Sequence, residues 1–305
     1  MAYVTVIGAA NIDIGGASNN TLIPRDSNVG TVTMSLGGVA RNIAANLCLL
    51  GCETKFISLF GEDDFAGMLR ADAARIGLDI SGCAVIRGAK TSTYLFINDE
   101  QGDMHIAVSD MSIYSHITPE FLRGRMDTVN GSALVVVDTN IPQESLQYLC
   151  ENCAAPILVD PVSTVKAKKL LPVLGKLHAI KPNRIEAQTL TGIDCSDEDG
   201  VRRAAERLLE LGVRNVVISL SVDGVFACNA KGETARVRPP RFDAVSTTGG
   251  GDALAAGLAV CMMRGDDLAT SARCALAAGT IACESARTIN PDMSFEAVMK
   301  RAESM

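Results

Sequence analysis

The chain has 305 residues, of which 48% are hydrophobic, and a formal net charge of −7 at pH 7. This size suits one large α/β domain or a domain with a small appendage, and an acidic chain without a basic stripe argues against nucleic acid as a partner. The ten cysteines are scattered among apolar residues, which favours packed, reduced thiols over disulfides or a zinc site. Without a basic leader or an apolar run near ~18 residues, the protein is expected to be soluble and cytoplasmic, with no membrane partner.

Residues 3–8 predict a buried strand, and two polar residues, Asn11 and Asp13, follow it. Residues two apart in an extended segment point to the same side. Just past the carboxyl end of a strand, that side can face a ligand crevice. An amide and a carboxylate are good partners for the hydroxyls of a polyol substrate, although the same pair could simply hold a turn.

Residues 14–36 contain several glycines, a proline and few large apolar residues, which is typical of an excursion from the core. Gly37 and Gly38 then open a helical pattern that ends near Gly51. The glycine pair would let backbone approach a ligand, and Asn42 lies close enough in the helix to reach the same ligand. A solvated helical asparagine fits that position nearly as well.

Residues 55–60 predict the next strand, followed by a helix to about residue 75. A hairpin over residues 91–97 and 104–108 then interrupts the alternation of strands and helices. Residues 90–110 and 14–36 are therefore expected to form a small sheet that lies over the site as a lid. The exposed face of such a sheet could pair with a second subunit, which makes a homodimer plausible.

The alternation of strands and helices then resumes, and its strands are predicted over residues 133–138, 157–160, 179–181, 215–220, 225–229 and 234–237. Strands followed by helical patterns give a parallel sheet covered on both faces, with ligands beyond the carboxyl ends of the strands. Polar residues stand at these predicted ends: Asn11, Asp13, Asn140, Asp160, Asn183 and Ser219. Their convergence predicts one polar site.

Asn183 and Glu186 are spaced i, i+3 at the start of a predicted helix. An amide and a carboxylate at this place can hold the waters around Mg²⁺. The same spacing fits a capping box, in which the two residues satisfy each other's backbone N–H groups. The spacing alone favours neither interpretation.

The central stretch of the chain is residues 246–254, where three consecutive glycines precede Asp252 and an apolar helical run. Backbone N–H groups at a glycine-rich helix start form an anion site, and the helix dipole is positive there. An aspartate at that start would sit beside a bound phosphoryl group and could accept the proton of its acceptor. A helix cap is the alternative. This loop and two C-terminal helical runs are expected to close the chain.

Four segments together resemble the PfkB (ribokinase-like) carbohydrate kinase family, in the correct order and over essentially the whole chain. They are Asn11-Ile-Asp13, Gly37-Gly38-x-x-x-Asn42, Lys181-Pro-Asn183-x-x-Glu186 and Thr248-Gly249-Gly250-Gly251-Asp252. The resemblance implies one kinase domain over residues 1–305, with a three-layer α/β/α fold, a mostly parallel central sheet and the small β-sheet lid. Gly250 stands where the family usually has Ala. Ser246 stands where many members have an Asp near a monovalent-cation site, which leaves potassium dependence open.

The resemblance further implies ATP and Mg²⁺ as cofactors. The amides of Gly249, Gly250 and Gly251 would hold the transferring phosphoryl group, and Asp252 would accept the acceptor's proton. Asn183 and Glu186 would order Mg²⁺ and its waters. The residues implied to border the nucleotide are Asn183, Ser219, Ser221, Asp223, Gly224 and Asn290. The residues implied to bind the substrate are Asn11, Asp13, Gly38, Asn42 and Asn140.

Within the family, five stretches are most similar to members that phosphorylate the 5′-hydroxyl of pseudouridine. They are residues 10–13, 26–30, 38–47, 138–140 and 160–163. Ribokinases usually have an acid where Asn140 stands, which counts against free ribose. Ser27 and Asn28 are candidates for contacts to the base. The alternatives are another nucleoside or sugar kinase, such as a ribokinase or an adenosine or inosine kinase, and a non-catalytic nucleoside sensor.

Overall fold

The computed structural model describes residues 2–305, and the strands of this part of the chain belong to three sheets. In chain order they are β1 (Val4–Ile7), β2 (Asn11–Ser18), β3 (Gly30–Gly37), β4 (Thr54–Ile57), β5 (Leu59–Phe60), β6 (Ala84–Val85), β7 (Thr93–Asn98), β8 (Met104–Asp110), β9 (Leu134–Asp138), β10 (Ile157–Asp160), β11 (Ala179–Ile180), β12 (Asn215–Ser219), β13 (Val225–Asn229) and β14 (Thr234–Val237).

The helices of the described residues are interspersed with these strands. In chain order they are α1 (Val39–Leu49), α2 (Asp64–Ile76), α3 (Pro119–Arg123), α4 (Met126–Asn130), α5 (Gln143–Asn152), α6 (Thr164–Ala167), α7 (Arg184–Thr191), α8 (Glu198–Glu210), α9 (Gly250–Arg264), α10 (Leu268–Cys283) and α11 (Phe295–Ala302). None of them is long and apolar enough to cross a membrane.

The central sheet has eight strands in the order β14-β13-β12-β11-β10-β9-β1-β4. The six strands from β12 to β4 are parallel, and the hairpin strands β13 and β14 complete one edge in antiparallel pairing. Strand β9 is buried along its whole length and reads Leu-Val-Val-Val-Asp, as expected for a parallel strand that is covered on both faces. The predicted mostly parallel sheet is confirmed.

The two faces of the sheet pack against separate apolar clusters. Val4 and Val6 of β1 belong to the cluster that includes α1, α9 and α10, whereas Ile7 belongs to the cluster that includes α5 and α8. Because neighbouring side chains on a strand point to opposite faces, each of the six parallel strands contributes to both clusters. The result is the three-layer α/β/α arrangement predicted from the sequence.

The second sheet has four strands in the order β3-β2-β7-β8, and it is built from the two segments predicted to form a lid. Strand β2 pairs with β3 in antiparallel and with β7 in parallel fashion. Asn11 and Asp13 lie on β2, only a few residues beyond the end of β1 at Ile7. They therefore belong to the root of the small sheet.

Two sequence predictions were wrong in detail. The strand predicted over residues 55–60 is broken at Ser58, whose hydroxyl donates to the Gly8 carbonyl over 2.6 Å; strand β5 beyond the break pairs with β6 instead. The C-terminal region contains three helices rather than two, since α11 follows a Ser294 cap that accepts the Ala297 N–H. The prediction of packed thiols is confirmed, because all ten cysteines are free and none is exposed.

Candidate active site

The carboxyl ends of the parallel strands form one polar edge, as the sequence predicted. Strands β9 and β10 end in Asp138 and Asp160, which are aligned neighbours in the sheet. The next strand leads into Asn183, which forms a bridge with Ser219 at the end of β12. Asp252 lies at the start of α9, and this helix start faces the same edge: an added Cβ on Gly251 would lie 3.5 Å from the Lys181 ammonium, which is 3.0 Å from the Asp160 carboxylate.

The start of α9 depends on Gly249. This residue has φ of 81°, in the left-handed region, and an added Cβ would lie 2.2 Å from the Thr288 carbonyl oxygen. The Gly250 N–H, predicted to bind phosphate, donates to the Thr247 carbonyl oxygen over 3.3 Å. The next two N–H groups, of Gly251 and Asp252, have no acceptor within the helix by its geometry and are available to an anion.

Gly250 has a physical reason to lack a side chain. A Cβ at this position would lie 2.8 Å from the Cys283 sulfur, closer than real Cβ atoms approach. The thiol of α10 therefore occupies the space that an alanine methyl would need. This pairing explains the departure from the family's usual Ala at position 250.

Asp252 is held by Asn42, whose side-chain nitrogen donates to the Asp252 carboxylate over 2.8 Å. Burial raises the pKa of Asp252 to about 7, and the Asp160 charge adds to this effect, while the Asn42 hydrogen bond and the Lys181 charge oppose it. A carboxyl with a pKa near 7 is a stronger base than an ordinary aspartate, and a useful fraction of it is deprotonated at neutral pH.

Lys181 places a buried positive charge beside the glycine loop. Its ammonium lies 3.0 Å from the Asp160 carboxylate, and each side chain is 6% exposed. An added Cβ on Gly251 would lie 3.5 Å from the same ammonium. Burial alone would lower the pKa of Lys181, but the charges of Asp160, Glu186 and Asp252 outweigh burial and raise it. The lysine therefore stays protonated next to the anion site.

Asn11 and Asp13 lie on one side of β2, as predicted. The Asn11 amide donates to the Asp13 carboxylate over 2.5 Å, and the buried Asn11 side-chain oxygen has no protein partner. Burial raises the pKa of Asp13 to about 6, although the Asn11 hydrogen bond and the Arg41 charge lower it. An unsatisfied buried oxygen beside a carboxylate suits a ligand that supplies hydroxyl donors.

Asp138 organises the backbone around Gly38. Gly38 has φ of 97°, and its added Cβ would lie 2.5 Å from the Ala9 carbonyl oxygen. The buried Asp138 carboxylate accepts the N–H groups of Ala9 and Ala40, each over 3.0 Å. It thereby caps α1 in place of Gly38, whose position has no side-chain cap. Burial raises the pKa of Asp138, and these hydrogen bonds oppose the rise.

Asn140 is used differently from the prediction. Its amide nitrogen donates to the Asp138 carboxylate over 2.8 Å, and its oxygen accepts from the Lys166 ammonium over 2.5 Å. Both ends of this buried amide are therefore bonded within the protein. The structure makes Asn140 a link between an acid and a lysine, and no sequence pattern predicted the Lys166 partner.

A cavity of about 400 Å³ lies between α9, α10 and the end of β12, and its lining is mostly apolar. Four of the residues implied to border the nucleotide line it: Asn183, Ser219, Ser221 and Gly224. Gly250, Gly251 and Cys283 form its wall toward the glycine loop. Its size and apolar lining are suited to a planar base with a sugar, with the phosphates directed to the start of α9.

Four predicted binding residues have other contacts. Asp223 is exposed and pairs with Arg184 over 2.6 Å. Asn290 lies outside the cavity, because its amide donates to the Ile281 carbonyl at the end of α10 over 2.6 Å. Asn28 folds back onto Ile23 in the exposed loop between β2 and β3, and Ser27 precedes it there. Asp223 therefore lies just beyond the end of β12 with its carboxylate paired to Arg184, whereas Asn290, Ser27 and Asn28 lie away from the polar edge.

Asn183 and Glu186 form the capping box. The Asn183 oxygen accepts the Glu186 N–H over 2.9 Å, and the Glu186 carboxylate accepts the Asn183 N–H over 2.8 Å. Burial raises the pKa of Glu186, with a further contribution from Asp160. Over residues 2–305 no cluster of three or more acidic, His or Cys side chains could hold a metal ion. This donor set fits Mg²⁺ that is held mainly by phosphates and water, because Mg²⁺ commonly keeps its waters and uses one or two carboxylates.

Sequence reasoning missed two cations at the site, Lys181 and Arg41. The side chain of Arg41 is 8% exposed and donates to the Asn42 side-chain oxygen over 3.1 Å. A charged residue on the apolar side of a predicted helix was the available signal, since arginine is almost never buried without partners. Lys181 could have been noted because it ends a buried strand.

A helix start that can bind an anion, a partly buried carboxylate beside it and an apolar cavity together suit a phosphotransferase that acts on a small hydroxyl compound. The chain belongs to the pfkB family of carbohydrate kinases, whose family profile matches residues 1–294. It is 37% identical to pseudouridine kinase of Escherichia coli (strain K12), covering 99% of this chain and 97% of that protein. It is 26% identical to guanosine-inosine kinase of Exiguobacterium acetylicum, covering 83% and 84% of the two chains.

The fold also matches a solved kinase structure. Ribokinase of Arabidopsis thaliana, solved with ribose and ATP, superposes with a TM-score of 0.86 at 22% identity and covers 99% of each chain. At that identity the match shows a shared ribokinase-like fold. The family match and the curated relatives identify this chain as a sugar or nucleoside kinase.

Proposed function

We propose that this protein transfers the γ-phosphate of ATP to the 5′-hydroxyl of pseudouridine, giving pseudouridine 5′-phosphate and ADP. The observation that carries the proposal is the 37% identity to a pseudouridine kinase over nearly all of both chains. The absence of an acid at Asn140 agrees with a substrate other than free ribose. Asn11 and Asp13 supply an acceptor pair for the two ring hydroxyls of a nucleoside.

The proposed reaction uses the Asp252 carboxylate as the base. It accepts the proton of the 5′-hydroxyl while that oxygen bonds to the γ-phosphorus and the bond from phosphorus to the β,γ-bridging oxygen breaks. Phosphoryl transfer has a loose transition state, so most of the rate comes from positioning and charge stabilisation. The N–H groups of Gly251 and Asp252 and the Lys181 ammonium supply donors and positive charge where the transferring oxygens would lie.

Mg²⁺ is expected to accompany ATP, with the Glu186 carboxylate and the Asn183 side chain ordering its water shell and the ion neutralising phosphate charge. The ion then needs few ligands from the protein, so Asn183 and Glu186 can contact its water shell while they also cap α7. The adenosine part of ATP is assigned to the apolar cavity bordered by Ser219 and Gly224.

The proposal is tested by ADP release, measured with pseudouridine, uridine, inosine, adenosine and ribose as acceptors. Pseudouridine should give the highest kcat/KM, and phosphorus NMR of the product should show a 5′-phosphomonoester. Preference for inosine or adenosine would favour the alternative function of a purine-nucleoside kinase, which the 26% identity to guanosine-inosine kinase supports. Tight nucleoside binding without ADP release would instead favour a sensor.

We also propose that the small sheet serves as a lid and as a dimer interface. Its strands expose apolar side chains that share one face: Val32, Met34, Leu95, Ile106 and Val108. A contiguous exposed apolar face of this kind usually marks an interaction surface. Light scattering should give the mass of two chains for the native protein and of one chain for Ile106→Lys.

A further inference from the structure

We propose that Arg41 is a positioning residue for the Asp252 base: it fixes the Asn42 amide so that the amide nitrogen, and not the oxygen, faces the Asp252 carboxylate. The proposal rests on the proposed phosphoryl transfer, in which Asp252 accepts the substrate proton. It assigns a role to a buried arginine whose hydrogen bonds go to Leu36, Asn42 and Asp72 rather than to the Asp252 carboxylate. The Arg41 charge also lowers the pKa of Asp13, so the titration of Asp252 itself, rather than the activity profile alone, identifies this role.

Arg41 is itself held firmly. One guanidinium nitrogen donates to the Asn42 side-chain oxygen over 3.1 Å and to the Leu36 carbonyl over 3.4 Å. The other forms an ion pair with Asp72 of α2, whose side chain is 11% exposed. Burial alone would raise the pKa of Asp72, but the Arg75 and Arg41 contacts outweigh it and lower the pKa. The arginine therefore has a fixed, charged partner behind it.

The chemistry of the guanidinium decides which way Asn42 points. An asparagine amide has an oxygen and a nitrogen of nearly equal size, so shape alone does not distinguish its two orientations. Arginine can only donate, and it therefore selects the Asn42 oxygen. The Asn42 nitrogen is left facing Asp252 and donates to it over 2.8 Å. The reversed amide would place two acceptors against each other.

The Asn42 hydrogen bond matters because some of the other neighbours of Asp252 raise its pKa and others lower it. Burial favours its neutral form, and the carboxylates Asp160 and Asp138 at the strand ends add to this. Asn42 from α1 and Lys181 from the end of β11 favour the ionised base, and the positive start of α9 acts in the same direction. Loss of the Asn42 donation therefore raises the pKa of Asp252 and leaves less base at neutral pH.

The chain offers a matched control at Arg75. Like Arg41, it pairs with Asp72, over 2.6 Å, but its side chain is 71% exposed and makes no contact with Asn42. Arg75→Met removes an arginine from the same aspartate without releasing the amide. Arg41→Met removes the donor to Asn42 and keeps a long apolar stem.

The experiment measures the pH dependence of kcat/KM with pseudouridine for the wild type, Arg41→Met and Arg75→Met. Arg41→Met should move the acidic limb upward by about one pH unit, because a hydrogen bond to a charged group stabilises that form about tenfold. Activity should then fall about fivefold at pH 7 and recover at pH 9. Arg75→Met should keep the wild-type limb, and Arg41→Lys, which retains a charged donor, should shift it less.

A second readout does not depend on turnover. Carbon NMR of ligand-free protein with labelled aspartate carboxyls follows the titration of Asp252, whose signal is identified by its absence in Asp252→Asn. The signal should titrate about one pH unit higher in Arg41→Met than in the wild type. An unmoved signal in folded Arg41→Met would overturn the proposal, as would an equal loss of activity at every pH.

If Arg41→Met does not fold, the same titration on Arg41→Gln decides, because a neutral amide that can both donate and accept does not select the Asn42 oxygen. An unmoved signal in that variant again overturns the proposal. The proposed function fails on a different result. Full turnover by Asp252→Asn would show that the carboxylate is not the base, whereas the NMR titration would still report whether Arg41 controls the Asn42–Asp252 hydrogen bond.

Discussion

Replacing Asp252 by Asn should lower turnover strongly and yet stabilise the ligand-free protein. The folded-state pKa of this carboxyl is raised from 3.8 to about 7. Between these pH values the folded chain binds more protons than the unfolded chain, so the free energy of unfolding falls as pH rises through this window. A tenfold change in proton affinity corresponds to about 1.4 kcal/mol, which gives about 4 kcal/mol above pH 7 as an upper limit.

Asp252→Asn should recover less than this upper limit in the free energy of unfolding, because part of the Asp252 side chain reaches solvent. We expect Asp252→Asn to raise Tm by a few degrees at pH 8 and by much less at pH 4. Asn42 can still donate to the asparagine oxygen, so the geometry of the pair is kept. The loss of the base should lower kcat by ~10²–10⁴-fold with little change in ATP affinity.

The assay is thermal unfolding of Asp252→Asn and wild type at pH 4, 6 and 8, together with initial rates of ADP release. Asp127→Asn is the charge-matched control, since Asp127 is exposed and precedes β9 at the other edge of the sheet. The Tm of Asp127→Asn relative to the wild type should be the same at pH 4 as at pH 8. Equal Tm shifts of Asp252→Asn at all three pH values would refute the raised pKa, and an unchanged kcat would refute the catalytic role.

Two further changes probe the surroundings of the base. Gly250→Ala should lower the free energy of unfolding by about 1–3 kcal/mol, because its methyl would meet the Cys283 sulfur at 2.8 Å. Adding Cys283→Ala should restore most of this loss in urea unfolding. If it restores none, the packing argument is wrong. Lys181→Met should cost about 3–5 kcal/mol by leaving the buried Asp160 unpaired. Adding Asp160→Asn should then recover stability but not initial rates, and recovered rates would exclude a role for the Lys181 charge in turnover.

Much of the fold could be predicted because its signals are local. Strands such as β9 and β10 are short apolar runs that end in an acid, and helices such as α1 follow glycines. The parallel order then brings the strand ends to one edge, which is why Asp160 and Asn183 were correctly placed near the glycine loop. The break at Ser58 was not predictable, since it depends on a hydrogen bond to Gly8.

The details of the site depend on contacts between distant parts of the sequence. Asn42 and Asp252 are 210 residues apart, and nothing in the spacing of either segment predicts that one donates to the other. The same holds for Asn140, whose use is decided by Asp138 and Lys166. Residue type identified these positions as polar and available, and tertiary packing decided which of them face a ligand.

The charges of the site indicate what the protein needs from its ligands. Asp138, Asp160 and Asp252 gather at one edge, where Lys181 pairs with Asp160 and Lys166 binds Asn140 beside Asp138. Such a site repels phosphate unless the positive start of α9 and a divalent ion contribute. The acidic chain as a whole provides no compensating field. We therefore expect the site to prefer a metal-bound nucleotide to free phosphate anions. Because the same carboxylates raise the pKa of Asp252, removing one of them to improve stability should also weaken the base.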